Sequence, residues 1–487
     1  MKKTISAILL TAILMSLASC GSEKPGEVTT TGGETTTEPV TETTPAISAD
    51  LPDVRYDGYE FRFLSSDEVG TVRYSAELYA EEETGEPLND AVFKRNRMVE
   101  ERFGVKIVSI EQNKNVLMNL LAGSVMAGDD DFDMVVTQMS TVLANAYQHS
   151  AQISDLTYID IDKPWWDGDI IREMAIGGKA FALTGEFNLV DNKATWCLLF
   201  NKRLAGECGA DDPYELVRSG RWTLDELRRF CSLAARDLNG DGTMDHQDQW
   251  GMLSSGNAAV SLMWASGGSM GKTDGKGNVE LTIDSERNIN ALGKIYEIFA
   301  DRDSIIDANR IPQGENGMSN FDHQRQIFRD GRALFIGGLA QYVEFFRDME
   351  DEFGIIPLPK YDENQSDYIC TAQEWCATVG VVPKTITDPD RTSVIIEALC
   401  SASVSTITPE YYDTTLQRKH ARDDESKEML DLIFASRTFD VVYAYNWGKV
   451  RNLSNAVVAE SNTIASTVTS MKTAAQTELD KYMEGLK

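Results

Sequence analysis

Two hydrophobic periods take turns along this chain. Tyr59-Glu60-Phe61-Arg62-Phe63-Leu64 alternates with period two and predicts a strand. Residues 89–103 carry apolar positions at helical spacing (Ala91, Val92, Met98, Val99, Phe103), and Gly104 ends the run. Val105-Lys106-Ile107-Val108 predicts a second strand, residues 116–126 a second helix, and Phe132-Asp133-Met134-Val135-Val136 a third strand. Strands alternating with helices predict a parallel α/β sheet, with ligands at the carboxyl ends of its strands. Those ends are Ser65-Ser66-Asp67 and Thr137-Gln138-Met139. Further on the helical period dominates: 223–235, 285–300, 392–401 and 427–434 read as amphipathic helices, and 462–484 as a last one.

The first fifty residues follow neither period. Lys2 and Lys3 precede an apolar run from Ile5 to Leu17, of signal-peptide length and too short to span a bilayer comfortably. The run ends in Leu17-Ala18-Ser19-Cys20, which resembles the lipobox of bacterial lipoproteins. That resemblance implies a signal peptide over 1–19, lipid on Cys20, and a body held at the extracellular face of the cell membrane by its anchor alone. Residues 21–50 are rich in Thr, Glu, Pro and Gly and hold no aromatic residue. Such a stretch buries too little surface to offset its ordering entropy, so 20–53 is expected to be a tether.

The formal charge is −31 over 487 residues, and cleavage after Ser19 would remove two lysines and no acid. A body this acidic is repelled by nucleic acid and by anionic lipid, so neither is an expected partner. Of the cysteines after Cys20, Cys197, Cys231 and Cys400 lie in apolar segments, where a free thiol behaves as a small hydrophobe. Mostly reduced cysteines are expected, and the absence of any Cys-x-x-Cys removes support for zinc.

The sharpest chemical motif runs from Asp237 to Asp248. Oxygen donors fall at loop positions 1, 3, 5, 9 and 12 (Asp237, Asn239, Asp241, Asp245, Asp248), with Gly242 at 6 and the Thr243 carbonyl at 7. This spacing fits an EF-hand calcium loop, except that position 12 is Asp, as in dockerin loops. A structural Ca2+ is expected at 237–248. Catalytic patterns are weak. The four histidines are scattered, and Gly267-Gly268-Ser269-Met270-Gly271, which spells Gly-x-Ser-x-Gly, runs into a loop where a nucleophile elbow needs a helix. Trp165, Trp166, Trp264, Trp375 and Trp447 lie near small or polar residues. Aromatic faces stack on sugar rings, though core packing claims most tryptophans.

Phe200-Asn201-Lys202-Arg203-Leu204, Arg221-Trp222-Thr223-Leu224-Asp225-Glu226-Leu227, Gly331-Arg332-Ala333-Leu334-Phe335 and Phe353-Gly354-Ile355-Ile356-Pro357-Leu358-Pro359 occur in the order and spacing seen in family 1 extracellular solute-binding proteins of ABC importers, the group containing maltose-binding protein. The resemblance covers roughly 54–487 and implies a two-lobe, periplasmic-binding-protein-like (type II) α/β fold with an interlobe cleft and several hinge crossings. It implies lobe one at 54–186 plus 333–400 and lobe two at 187–332 plus 401–487. It places Ser66, Asp67, Gln138, Glu186, Asp191, Gln341, Tyr342 and Trp447 at the cleft. The expected function is capture of a small solute, a carbohydrate above all, for an ABC permease, by a monomer without catalysis. The alternatives are a cell-surface glycoside hydrolase, which needs two carboxylates across one cleft, and an adhesion or scaffolding lipoprotein.

Overall fold

The computed structural model describes residues 46–68, 74–209, 211–274, 276–314, 317–417 and 424–487. The expected signal peptide, Cys20 and the expected tether up to residue 45 lie outside them.

Strand β1 (Tyr59–Ser66) leads to helix α1 (Pro87–Phe103), β2 (Val105–Gln112), α2 (Leu117–Ala127) and β3 (Met134–Gln138), as the periodicity predicts. Local chemistry sets the ends of α1. The Glu86 side chain accepts from the Asn89 N–H, Pro87 occupies the first turn, and Gly104 closes the helix at φ 63° with its N–H on the Glu100 carbonyl. The first sheet has the order β9-β3-β1-β2, where β9 is Thr378–Val381. β1 runs parallel to β2, from Tyr59 opposite Val105 to Ser66 opposite Gln112, and parallel to β3. β9 is antiparallel to β3, with Thr378 opposite Gln138.

The second sheet is built from β4 (Trp196–Asn201), β5 (Trp250–Ser254), β6 (Ile305–Asp307), β7 (Ala333–Leu339) and β8 (Phe353–Ile356) in the order β8-β4-β7-β5-β6. Helices α3 (Leu224–Ala234), α4 (Gly256–Ala265), α5 (Glu286–Phe299) and α6 (Asn320–Arg329) accompany it. β4 and β7 are buried along their whole length, as central strands covered on both faces are. Phe61, Phe63, Met134 and Val136 of the first sheet pack into one cluster with Val99 and Phe103 of α1 and with α7 (Pro389–Ser403). Leu64 and Val135, on the opposite face, join the larger cluster that holds the second sheet. The described residues, from 46 on, belong to one compact unit.

Three expectations need correction. Ala333–Leu339 does not return to the first lobe; it pairs with β4 and β5 in the second sheet. A strand buried on both faces has no alternation to betray which sheet it joins, and the return is made later, by β9. Lobe two therefore holds 333–356 as well. The crossing expected near Ser401 also comes later. Helix α8 (Ile407–Gln417) still packs on α1, Ile407 and Tyr411 lying against Ala91 and Val92. Helix α9 (Asp424–Ala435) belongs with the second sheet through Met429, Leu430 and Ile433. The packed chain begins before residue 54: Ala49 and Leu51 are buried in the first-lobe core, and the Ala46 N–H donates to Ser405 Oγ at 3.0 Å. Two apolar side chains suffice to dock the end of the stretch read as tether. The six cysteines after Cys20 are free and all but Cys208 are buried.

Candidate functional site at the interlobe cleft

The ends of the two sheets meet across a band stitched by backbone hydrogen bonds. β1 and β3 end at Ser66 and Gln138, and β9 starts beside Gln138. In the second lobe β5 ends at Ser254, β6 at Asp307 and β7 at Leu339, opposite Trp196 at the start of β4. The Ala340 and Gln341 N–H groups donate to the Thr195 and Lys193 carbonyls at 2.8 and 3.1 Å. The returning segment 373–377 lies between the sheets. Its Gln373 N–H donates to the Ala194 carbonyl, while its Ala377 and Trp375 carbonyls accept from the Met139 N–H (2.9 Å) and from Gln138 Nε2 (2.7 Å).

Three side-chain oxygens at this band are buried without a hydrogen-bond partner, Ser254 Oγ, Asp307 Oδ2 and Gln341 Oε1, and the Glu374 carboxylate is buried beside the Arg451 guanidinium. Buried polar atoms are normally satisfied, and leaving one bare costs its desolvation. A cluster of them at the strand ends points to a hydrogen-bond donor supplied from outside. Arg451 Nε stands 2.9 Å from Glu374 Oε1, but the N–H is not aligned to make a hydrogen bond. Burial pushes Glu374 up to about 8 against the pull of that guanidinium. Trp375, next to it, is 48% exposed, and the other seven of the eight tryptophans are buried. Trp196 Nε1 donates to Gln373 Oε1 at 3.2 Å, holding the start of the segment. Tyr342 is half-buried beneath the Arg325 guanidinium, 5.5 Å from its ring.

The expected site residues divide accordingly. Ser66, Gln138, Gln341, Tyr342 and Trp375 lie at the strand ends or on the segment between them. Asp67 follows β1 exposed, its N–H on the Gln112 carbonyl. Trp165 and Trp166 belong to the first-lobe core, where both indole N–H groups donate to Glu397 at 2.8 and 2.7 Å. Trp447 is stacked on Tyr445 with centroids 4.7 Å apart and packed edge-on against Tyr482, so its faces are taken. Trp264 donates to Asp440 at 3.0 Å and packs against Tyr443. Trp264 also lines a cavity of about 520 Å³ with Asp169, Arg172 and Asp440, whereas Trp165, Trp166 and Trp447 are corrections: tryptophan beside polar residues in sequence is also the signature of a buried indole. Glu186 and Asp191 serve the hinge. Glu186 accepts from Thr408 Oγ1 at 2.6 Å, and Asp191 is 2.8 Å from Arg437. Arg437 also holds Asp167 and Asn192, and burial pushes the Asp191 carboxyl up despite it. Sequence reasoning missed Ser254, Asp307, Glu374 and Arg451. A signal existed for the first, since Ser254-Ser255-Gly256 runs from a buried strand into a helix that Ser255 caps.

Segment 237–248 is wound as its spacing requires. Asp237 accepts from the Gly240 and Gly242 N–H groups at 2.6 and 2.8 Å, which hold its carboxyl below the usual range. Gly242 turns the chain at φ 81°. Asp248 accepts from the Leu238 and Asp245 N–H groups at 2.9 and 2.8 Å, and Asn239 and Asp241 cap the N–H groups two residues on. Among the described residues, in this loop or elsewhere, no three His, Cys, Asp or Glu side chains are gathered tightly enough to hold a metal as they stand. The glycine-rich stretch 267–271 forms one wall of the cavity of about 520 Å³ that Asp169, Arg172 and Glu173 also line. Its N–H groups donate to the Trp264 and Met263 carbonyls, Asn288 and Asp440, and Ser269 Oγ meets Thr282.

No family model matches the chain, and no curated protein does. Solved structures do match in fold. The maltose-bound MalE3 of T. maritima is 14% identical, covers 86% of this chain and 100% of its own, and superposes with a TM-score of 0.53. RafE from Streptococcus pneumoniae gives 13%, 87%, 99% and 0.55, and RafE has also been solved with raffinose. UgpB from Mycobacterium tuberculosis, in complex with glycerophosphocholine, gives 12%, 88%, 99% and 0.56. The chain has the two-lobe α/β fold of these substrate-binding proteins.

Proposed function

We propose that the chain is an extracellular solute-binding lipoprotein that captures a carbohydrate between its lobes and delivers it to an ABC importer permease, without chemistry of its own. The observation that carries this reading is the set of buried oxygens without a hydrogen-bond partner, Ser254 Oγ, Asp307 Oδ2 and Gln341 Oε1, on the band that also bears the exposed Trp375. A sugar offers hydroxyl donors to the buried oxygens and an apolar ring face to the exposed part of the Trp375 indole. The neighbours support it, since MalE3 holds maltose and RafE raffinose. They are binding proteins, so the glycoside hydrolase and adhesion alternatives are not favoured. Lipid on Cys20 would keep the monomeric body at the membrane, and a Ca2+ held by Asp237, Asn239, Asp241, the Thr243 carbonyl, Asp245 and Asp248 would staple its loop.

A thermal-shift screen against maltose, raffinose, maltotetraose, ribitol and glycerophosphocholine tests the proposal, with calorimetry on each hit. A neutral saccharide or polyol should bind one to one and raise the melting temperature with concentration, by about 2.7 kcal/mol of stability at a hundredfold excess over Kd. A panel that leaves the melting temperature unmoved would count against carbohydrate capture.

A further inference from the structure

Away from the cleft, a cavity of about 330 Å³ opens between the first lobe and the end of the last helix, α10 (Ile464–Gly485). Its polar lining is Tyr147, Ser150, Gln152, Asp155, Lys179 and Lys384. This set is rich in donors. Lys384 is an exposed residue whose side chain has no ion-pair or hydrogen-bond partner among the described residues, while its backbone N–H is anchored on the His149 carbonyl at 3.0 Å. Lys179 Nζ donates one of its hydrogens to the Leu486 carbonyl at 2.6 Å. Tyr147 Oη accepts from Gln148 Nε2 at 2.9 Å, which leaves its own proton to give. Ser150 is only 3% exposed, and its Oγ has no partner at all. A buried hydroxyl left bare is costly, and Ser150 belongs to this wall of the cavity, so a ligand that reached it would relieve that cost. Asp155 is the one carboxylate in the lining, against two ammonium groups, in a chain of net charge −31.

We infer that this cavity is a second binding site, for a small oxyanion such as a phosphate or a carboxylate. Its oxygens would accept from Lys384 and Ser150, with Lys179 and Tyr147 closing the shell. Charge-assisted hydrogen bonds to an oxyanion are short and strong, and two ammonium groups on separate segments fit a compact anion better than a neutral sugar. The position adds a consequence. Lys179 holds the α10 terminus, and Tyr147 packs edge-on against Tyr482 of α10 with centroids 4.8 Å apart. An anion seated there would tie a second-lobe helix to the first lobe without touching the solute cleft.

The test is calorimetric titration of the full chain with inorganic phosphate and with malonate, against sodium chloride at matched ionic strength. The inference expects saturable one-to-one binding of at least one of the two anions. Lys384→Met should weaken it at least tenfold and Ser150→Ala at least threefold. Lys427→Met, which removes the same charge from an exposed position on α9, should leave it unchanged. A melt of each variant reports folding, and the exposed Lys384 carries the test if Ser150→Ala is unstable. Heats no different from chloride would overturn the inference. So would wild-type affinity in Lys384→Met, or equal weakening in Lys427→Met, which would mark a diffuse charge effect. None of these outcomes depends on the solute cleft.

Discussion

Glu397 offers the sharpest test of how the first lobe is held. Its two carboxylate oxygens each accept one indole N–H, from Trp165 and from Trp166, and the residue is 2% exposed. Glu397→Leu keeps the apolar bulk but leaves two buried N–H groups without acceptors. Each orphaned donor costs about 1–3 kcal/mol, so the variant should lose about 2–6 kcal/mol. Replacing the donors should recover much of this: Trp165→Phe and Trp166→Phe, added to Glu397→Leu, should cost far less than they do in the wild-type chain. A pH signature accompanies the change. Burial pushes Glu397 from the ordinary 4.5 up to about 6, against the pull of the two indoles. The folded state then binds the proton more tightly than the unfolded one. The stability this contributes is complete below pH 4.5 and is lost as pH rises through about 6, a fall of about 2 kcal/mol. Denaturant unfolding followed by tryptophan fluorescence, at pH values across that window, reads both effects. A Glu397→Leu loss under about 1 kcal/mol, no recovery on removing the indoles, or an unchanged pH slope would refute the clamp.

Two other predictions concern the calcium loop and Trp447. If 237–248 holds Ca2+, chelator should lower the melting temperature, added Ca2+ should restore it, and Asp237→Ala should abolish the response; an indifferent melt would dismiss the ion. Trp447→Ala should cost about 3–5 kcal/mol, because it removes a buried ring stacked on Tyr445 and packed edge-on against Tyr482. Affinity for a saccharide should survive in the folded fraction, and a large loss of affinity at full stability would return Trp447 to the cleft.

The sequence was most legible where one local rule decides an element. β1, α1, β2, α2 and β3 announce themselves by period and by the stop at Gly104, and the last helix by its spacing. Illegible were the pairings that depend on distant partners. β7 is apolar throughout, so nothing local assigns it to one sheet, and β9 joins β3 from more than two hundred residues away in sequence. The cleft was legible in part. Gln138 follows from a strand end, Gln341 from the family resemblance and Trp375 from its small and polar neighbours, whereas Glu374 and Arg451 meet only once the returning segment is threaded between the lobes. Tryptophan was the least reliable guide. Whether an indole faces solvent or a buried acceptor such as Glu397 or Asp440 is settled by side chains far along the chain.

The central claim, a carbohydrate held between the lobes against Trp375, is tested most directly by calorimetry on Trp375→Ala with whichever saccharide the thermal screen identifies. Truncating a stacking aromatic at a binding site is worth about 2 kcal/mol or more, so affinity should fall roughly thirtyfold. The melting temperature without ligand should stay near that of the wild type, because this side chain is 48% exposed and adds little to the core. Undiminished affinity in a fully folded Trp375→Ala protein would contradict the account.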